Sequence, residues 1–305
     1  MSGELIRTGP IHTPAIATAP IVAPLPFPTE SAGKHELRLG VFDSGFGGLT
    51  VLRELLTLLP GAHSIYLGDT ARLPYGSKSR ETISRYAVSS AKFLEEQGAD
   101  LLVIACNTAT AMALEDIQAA LPIPVIGVVE PGAEAAKADA NRGDVLVLAT
   151  AATVQSGAYT RALQALGVRA YEKACPLLVP LVEEGWTDHP VTDEVIRIYL
   201  NEALSAAPDS STLLLGCTHY PLIEPAIRRV LDGMGHRMEI VDSAKATAMA
   251  TARVVAAKFP DAEAAATENL HRSFYATDSV EKFQRLGTHF LGHAVERVQL
   301  VDLGG

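Results

Sequence analysis

Cysteine is scarce in this 305-residue sequence. There are three, Cys106, Cys175 and Cys217, far apart and without a C-x-x-C pair. An odd number with no close spacing excludes a disulfide framework and a cysteine-built zinc site, leaving inert or reactive thiols in a reducing compartment. Basic side chains are also short: 25 Lys and Arg stand against 35 Asp and Glu, for a net charge of −10 and a pI near 5.4. A chain that acidic carries no general electrostatic footprint for nucleic acid or an anionic membrane. No run approaches the roughly 18 apolar residues needed to cross a bilayer. The longest candidates, 121–129 and 145–154, are broken by proline or diluted by threonine. The expectation is a soluble, cytoplasmic protein.

What the chain does have is apolar material. Hydrophobic residues make up 48% and charged residues 20%, with mean hydropathy +0.18, which excludes global disorder. At roughly 150 residues per domain, the length suggests about two domains. Pro10, Pro14, Pro20, Pro24, Pro26 and Pro28 are six of the 18 prolines, so residues 1–36 read as a disordered Pro/Ala-rich tail. Its apolar stretch is too interrupted for a signal peptide.

From Leu37 onward, short aliphatic runs alternate with longer amphipathic segments. Strands are predicted at Leu39–Phe42, Ser64–Leu67, Leu101–Ala105, Val125–Val128, Val145–Ala149, Leu213–Leu215 and Glu239–Val241. Several are continuous aliphatic runs, as parallel strands covered on both faces require. Helices are predicted at Leu49–Leu59, Ser79–Gln97, Ala109–Ala120, Gly157–Leu166, Thr192–Leu204 and Glu224–Leu231. Repeated strand–helix alternation means a parallel α/β architecture.

Three strand–helix junctions carry chemistry. Asp43-Ser44-Gly45-Phe46-Gly47-Gly48 follows the first strand. Loops leaving the carboxyl ends of parallel strands form the ligand crevice, and a helix start there favours an anion. The spacing is not G-x-G-x-x-G and no Walker lysine follows, so a plain turn capped by Ser44 fits as well. Cys106-Asn107-Thr108-Ala109 follows the run 101–105, and a helix start lowers a thiol pKa. Gly216-Cys217-Thr218-His219-Tyr220-Pro221 repeats that design 111 residues on, with His219 able to orient or activate the thiol. One such unit arises easily by chance, whereas two in one chain are the informative signal. Cys175, before Pro176, reads as structural. Asp69 and Pro74-Tyr75-Gly76-Ser77 read as a turn with Ser77 or Ser79 capping the next helix. Thr150 and Thr153 read as cap residues that also face a ligand.

Taken in order, Asp43-Ser44-Gly45-x-Gly-Gly, Pro74-Tyr75-Gly76, Cys106-Asn107-Thr108-Ala109 and Gly216-Cys217-Thr218-His219-Tyr220-Pro221 resemble the bacterial glutamate racemases. The resemblance runs from about Arg38 to at least Val241. It implies two pseudo-symmetric, doubly wound parallel-sheet α/β domains with the active site in the cleft between them. The first domain would comprise residues 37–130 plus 244–305 and the second 131–243. It further implies interconversion of L- and D-glutamate without any cofactor or metal, supplying D-glutamate for peptidoglycan, with no nucleic-acid or membrane partner; a homodimer is one option, and its geometry and activation by a cell-wall precursor stay open. Cys106 and Cys217 would be the acid/base pair, with Asp43 assisting the first and His219 the second. Substrate contacts would come from Asp43, Ser44, Tyr75, Gly76, Asn107, Thr108, Thr150, Thr153, Thr218 and His219. A site glutamate is expected before Gly185, and Glu184 is favoured over Glu183. The chemistry suits matched thiols, because enantiomers are equal in energy and a good site must treat both almost alike.

Three other readings remain at this stage. One is a racemase of aspartate or another amino acid. A second is a cysteine hydrolase or thiol oxidoreductase pairing one thiol with His219, and a third is a two-domain module that binds a small ligand without turning it over.

Overall fold

An aliphatic run such as Leu101-Leu102-Val103-Ile104 offers no polar face to water, so it is stable only as a strand paired on both sides and covered by helices. The computed structural model, which describes residues 36–139, 143–262 and 270–304, places it so. In chain order the elements are β1 (Arg38–Asp43), α1 (Leu49–Leu58), β2 (His63–Gly68), α2 (Arg80–Glu96), β3 (Leu101–Ile104), α3 (Asn107–Ala120) and β4 (Val125–Gly127). There follow α4 (Val129–Asp139), β5 (Asp144–Ala149), α5 (Ala151–Ser156), α6 (Ala158–Ala165), β6 (Ala170–Ala174), α7 (Leu178–Glu183), α8 (Pro190–Ala206), β7 (Ser210–Gly216) and α9 (Glu224–Gly233). The chain closes with β8 (Glu239–Asp242), α10 (Ser243–Lys258), β9 (Arg272–Ala276), α11 (Val280–Leu291) and β10 (Val298–Leu300).

The strands form two sheets, both parallel throughout. One has the order β10-β9-β2-β1-β3-β4 and the other β6-β5-β7-β8. The order β2-β1-β3-β4 recurs as β6-β5-β7-β8, so the two α/β domains are pseudo-symmetric, with β9 and β10 added at one edge of the first. Cys106 follows β3 and Cys217 follows β7, which are equivalent strands. In each sheet the order in which strands are added reverses beside the first strand, between β1 and β3 or between β5 and β7. That switch point is where open parallel sheets bind ligands. Both thiols therefore stand at the position that topology reserves for chemistry.

All seven predicted strands and six predicted helices overlap an observed element. Several elements carry no prediction: β6, β9, β10, α4, α5, α7, α10 and α11. β6 is an edge strand of half-buried residues with Glu172 and Lys173 in its middle, so its sequence lacks the aliphatic run of an inner strand. α10 is rich in Ala and Thr and packs between α1 and α4, which leaves little amphipathic contrast to detect. The tail predicted at 1–36 lies outside the described residues except for Glu36, whose carboxylate is 2.8 Å from His63 Nε2. Among the described residues no helix is long and apolar enough to cross a membrane.

The carboxyl end of β2 depends on close backbone packing. A Cβ at Gly68 would sit 2.4 Å from the Gly45 carbonyl oxygen and 2.7 Å from Phe283 Cε2. Gly68→Ala must therefore push the β1 loop or α11 aside, and a loss of about 1–3 kcal/mol is expected. Urea denaturation should show a lower midpoint at unchanged slope. An unchanged midpoint would mean that this strand end yields freely.

Candidate active site

The loop after β1 turns back on its own strand. Asp43 is buried, and its Oδ2 accepts the amide of Gly45 at 2.9 Å, while Oδ1 has no partner. Burial pushes its carboxyl above the usual range, against the pull of the His219 charge and the Gly45 and Gly48 amides. Ser44 does not cap a helix. Gly48 occupies the position before α1 without a side-chain bond, and Ser44 Oγ lies 3.4 Å from Cys106 Sγ.

Cys106 instead caps its own helix, its sulfur accepting the amide of Ala109 at 3.4 Å. The expectation that the helix start lowers this thiol is corrected by the structure. Burial, reinforced by the charge of Asp43, pushes it up to about 12, outweighing the bonds from Ser44 and Ala109. The reason is desolvation: the charged form loses more hydration than the weak hydrogen bonds from Ser44 and Ala109 return.

Cys217 stands in other surroundings. His219 Nδ1 is 3.9 Å from its sulfur, and His219 Nε2 is 3.3 Å from Glu183 Oε1. Burial alone would depress the imidazole. The hydrogen bonds and negative charge of Cys217 and Glu183 outweigh that and push it up to about 10. Burial likewise acts to raise the Glu183 carboxyl, but His219 and Lys282 bring it below its usual value. Of the two glutamates, Glu184, favoured from sequence, is the exposed residue that follows α7, while Glu183, the last residue of the helix, is the one turned toward His219.

Several contacts bring the two sheets' carboxyl ends together. Thr50 Oγ1 donates to the Thr218 carbonyl at 3.2 Å. Thr108, Thr150 and Thr153 form a hydroxyl triangle with sides of 2.8, 2.9 and 3.3 Å. Thr150 also caps α5, as its place after a buried strand suggested. A Cβ on Gly76 would stand 3.1 Å from Thr150 Cβ, so the turn carrying Tyr75 and Gly76 meets α5 directly. The Tyr75 hydroxyl is committed to Asp69 Oδ2. Tyr159 on α6 donates to Asn107 Oδ1 at 2.5 Å and leaves Asn107 Nδ2 buried and unpartnered.

Of the residues named from sequence, the structure thus gathers all but Glu184. Thr50, Tyr159, Glu183 and Lys282 complete the setting. Tyr159 reads in sequence as one more core aromatic, and nothing near Lys282 in sequence points to a cleft. Cys175 is buried, with the Tyr220 hydroxyl donating to its carbonyl, in keeping with a structural role. Among the described residues no group of three or more His, Cys, Asp or Glu could hold a metal ion.

The raised imidazole makes stability depend on pH. An unfolded histidine titrates near 6.5, and His219 in the fold near 10. Its contribution is therefore complete below about pH 6.5 and is lost as pH rises through 10. Tm should fall across that window, and His219→Gln should flatten the fall. An equal slope in the variant would place the pH dependence elsewhere.

The family model for Asp/Glu/Hydantoin racemases matches residues 40–251. The glutamate racemase of Koribacter versatilis is 53% identical over 287 residues, covering 88% of this chain and 98% of its own length. Among solved structures, glutamate racemase from Bacillus anthracis superposes with TM-score 0.80 at 37% identity, covering 89% of this chain and 99% of that one. Glutamate racemase from Francisella tularensis, solved with D-glutamate, gives TM-score 0.79 at 35% identity, covering 88% and 98%. With the family match, the sequence identities and the superpositions in agreement, the chain belongs to the Asp/Glu/Hydantoin racemase family.

Proposed function

We propose that this protein is a glutamate racemase that interconverts L- and D-glutamate by two-base proton transfer between Cys106 and Cys217, supplying D-glutamate for peptidoglycan in the cytoplasm. The observation that carries this reading is the repeated junction: two cysteines follow equivalent strands of two pseudo-symmetric sheets. A hydrolase or a thiol oxidoreductase built on one cysteine has no use for the second unit.

Enantiomers differ only in the face that holds the α-proton, so one thiolate must remove a proton from one face and one thiol supply it to the other. The two sulfurs are suited to opposite roles. Cys106, pushed up to about 12, holds its proton at neutral pH as a donor must. Cys217 faces an imidazolium backed by Glu183, which gives its sulfur a counter-charge when the proton has gone. Deprotonation beside a carboxylate also needs stabilisation of developing charge. Asn107 Nδ2 and Asp43 Oδ1 are buried without partners, one a donor suited to a carboxylate and the other an acceptor suited to an ammonium group. Backbone at Tyr75 and Gly76 and the hydroxyls of Ser44, Thr108, Thr150, Thr153 and Thr218 add neutral donors, which fits a dicarboxylate in an acidic protein. In domain terms the cleft lies between residues 37–130 with 244–305 and residues 131–243, and hinge motion between them admits the substrate.

Purified protein should racemise glutamate after dialysis against a chelator. Activity lost on dialysis and restored by pyridoxal phosphate or a metal would refute the reading. In deuterated water each single variant should lose net racemisation, while its surviving thiolate returns deuterium to the face it serves. From the family resemblance, Cys217→Ala should leave slow exchange into D-glutamate only, and Cys106→Ala into L-glutamate only. A single variant that still racemises at the wild-type rate would sink the two-thiol mechanism.

A further inference from the structure

Helix α11 belongs to the part of the chain that completes the first sheet, and it packs on α1. Its buried face is read easily once seen: Phe283, Leu286, Gly287, Phe290 and Leu291 recur at helical spacing. Phe283 lies against Phe46 and Tyr66, with ring centroids 5.7 and 5.8 Å away. Phe290 meets the His219 ring edge-on at 5.2 Å and 80°. One turn of the helix is thereby anchored in the first domain while another touches the imidazole beside Cys217.

Lys282, next to Phe283, makes the second such contact. Its Nζ is 3.2 Å from Glu183 Oε2 and 5.4 Å from the Phe46 ring centroid. Glu183 thus divides its oxygens, Oε1 to His219 and Oε2 to Lys282. The terminal torsion of a glutamate is soft, so a carboxylate held at one oxygen swings, whereas one held at both does not. Cys106 has no such remote support. Its partners Ser44 and Ala109 come from the loop after β1 and from its own helix.

We propose that Lys282 is a positioning residue for the Cys217 side of the site: it fixes Glu183, and Glu183 in turn keeps His219 against the Cys217 sulfur. This rests on the reading of Cys217 as one of two acid/base thiols. Lys282 touches neither sulfur, and its one polar contact toward the thiols is with Glu183, on the Cys217 side. Because Lys282 rides on the first domain while Glu183 and His219 belong to the second sheet's segment, the support exists only while the two are held together as seen here.

The test compares Lys282→Met, Lys282→Arg, Glu183→Gln and the Lys282→Met/Glu183→Gln double variant. Two readouts are needed: steady-state racemisation of glutamate, and the rate at which iodoacetamide alkylates each cysteine, followed by peptide mass spectrometry. Lys282→Met should lower kcat about five- to tenfold with KM within about twofold, as loss of a partly buried ion pair acting on the reacting group would. Lys282→Arg should recover most of it. In the Glu183→Gln background, Lys282→Met should add less than about twofold, because both changes break one chain of contacts. Alkylation of Cys217 should slow in Lys282→Met while that of Cys106 stays the same. The proposal is overturned by a full additive effect in the double variant, by a raised KM at unchanged kcat, or by equal change at both cysteines. A wild-type protein that does not racemise glutamate would refute the function proposed above, and the alkylation rates would still decide for or against Lys282.

Discussion

The site exists because two sheets meet carboxyl end to carboxyl end without room for a side chain at Gly47. A Cβ there would lie 2.2 Å from Thr218 Oγ1 and 2.6 Å from His219 Nδ1. That approach sets how closely the loop before α1 meets the Cys217 junction, and the Thr50 bond to the Thr218 carbonyl holds it there. On the other side the threonine triangle joins α3 to the start of α5. Both seams are polar, and the hydroxyls of Thr50, Thr108, Thr150 and Thr153 are each paired within them. An apolar seam would hold as well but would offer nothing to a charged amino acid.

Closure has an electrostatic consequence. Two thiols, two carboxylates and an imidazole are taken out of water together, and each responds to desolvation according to its neighbours. Cys106 has Ser44, one amide and a nearby carboxylate, so its proton is retained. His219 has a sulfur on one nitrogen and a carboxylate on the other, so its charge is retained. The pseudo-symmetry of the strands therefore does not extend to the shells around the two cysteines. A reaction with two equal directions is served by unequal surroundings, an imidazole and Glu183 beside Cys217 and a hydroxyl and Asp43 beside Cys106.

The architecture was largely legible in the sequence. Aliphatic runs such as Leu101–Ile104 and Leu213–Leu215 announce inner parallel strands because nothing else buries both faces of so short a segment. The cysteines at their ends announce the site because strand ends are where parallel sheets present side chains. The edges were less legible. β6 and β10 are half-covered, so their composition is mixed, and α10 lies against helices from both parts of the chain and so shows no contrasting faces.

The sequence by itself determined which segments become inner strands, where each cysteine emerges, and that the two cysteine junctions repeat one design. These are local properties, fixed by burial pattern and by the turn after each strand. Only the tertiary structure decided which glutamate serves His219, since Glu183 and Glu184 are adjacent and the answer depends on which side of α7 faces a residue 36 positions away. It also decided that Cys106 holds its proton more tightly than a helix start alone would allow, and that Lys282, 99 positions from Glu183, stands behind it. Desolvation and long-range pairing have no period and no motif, because both are set by what the rest of the chain brings into contact.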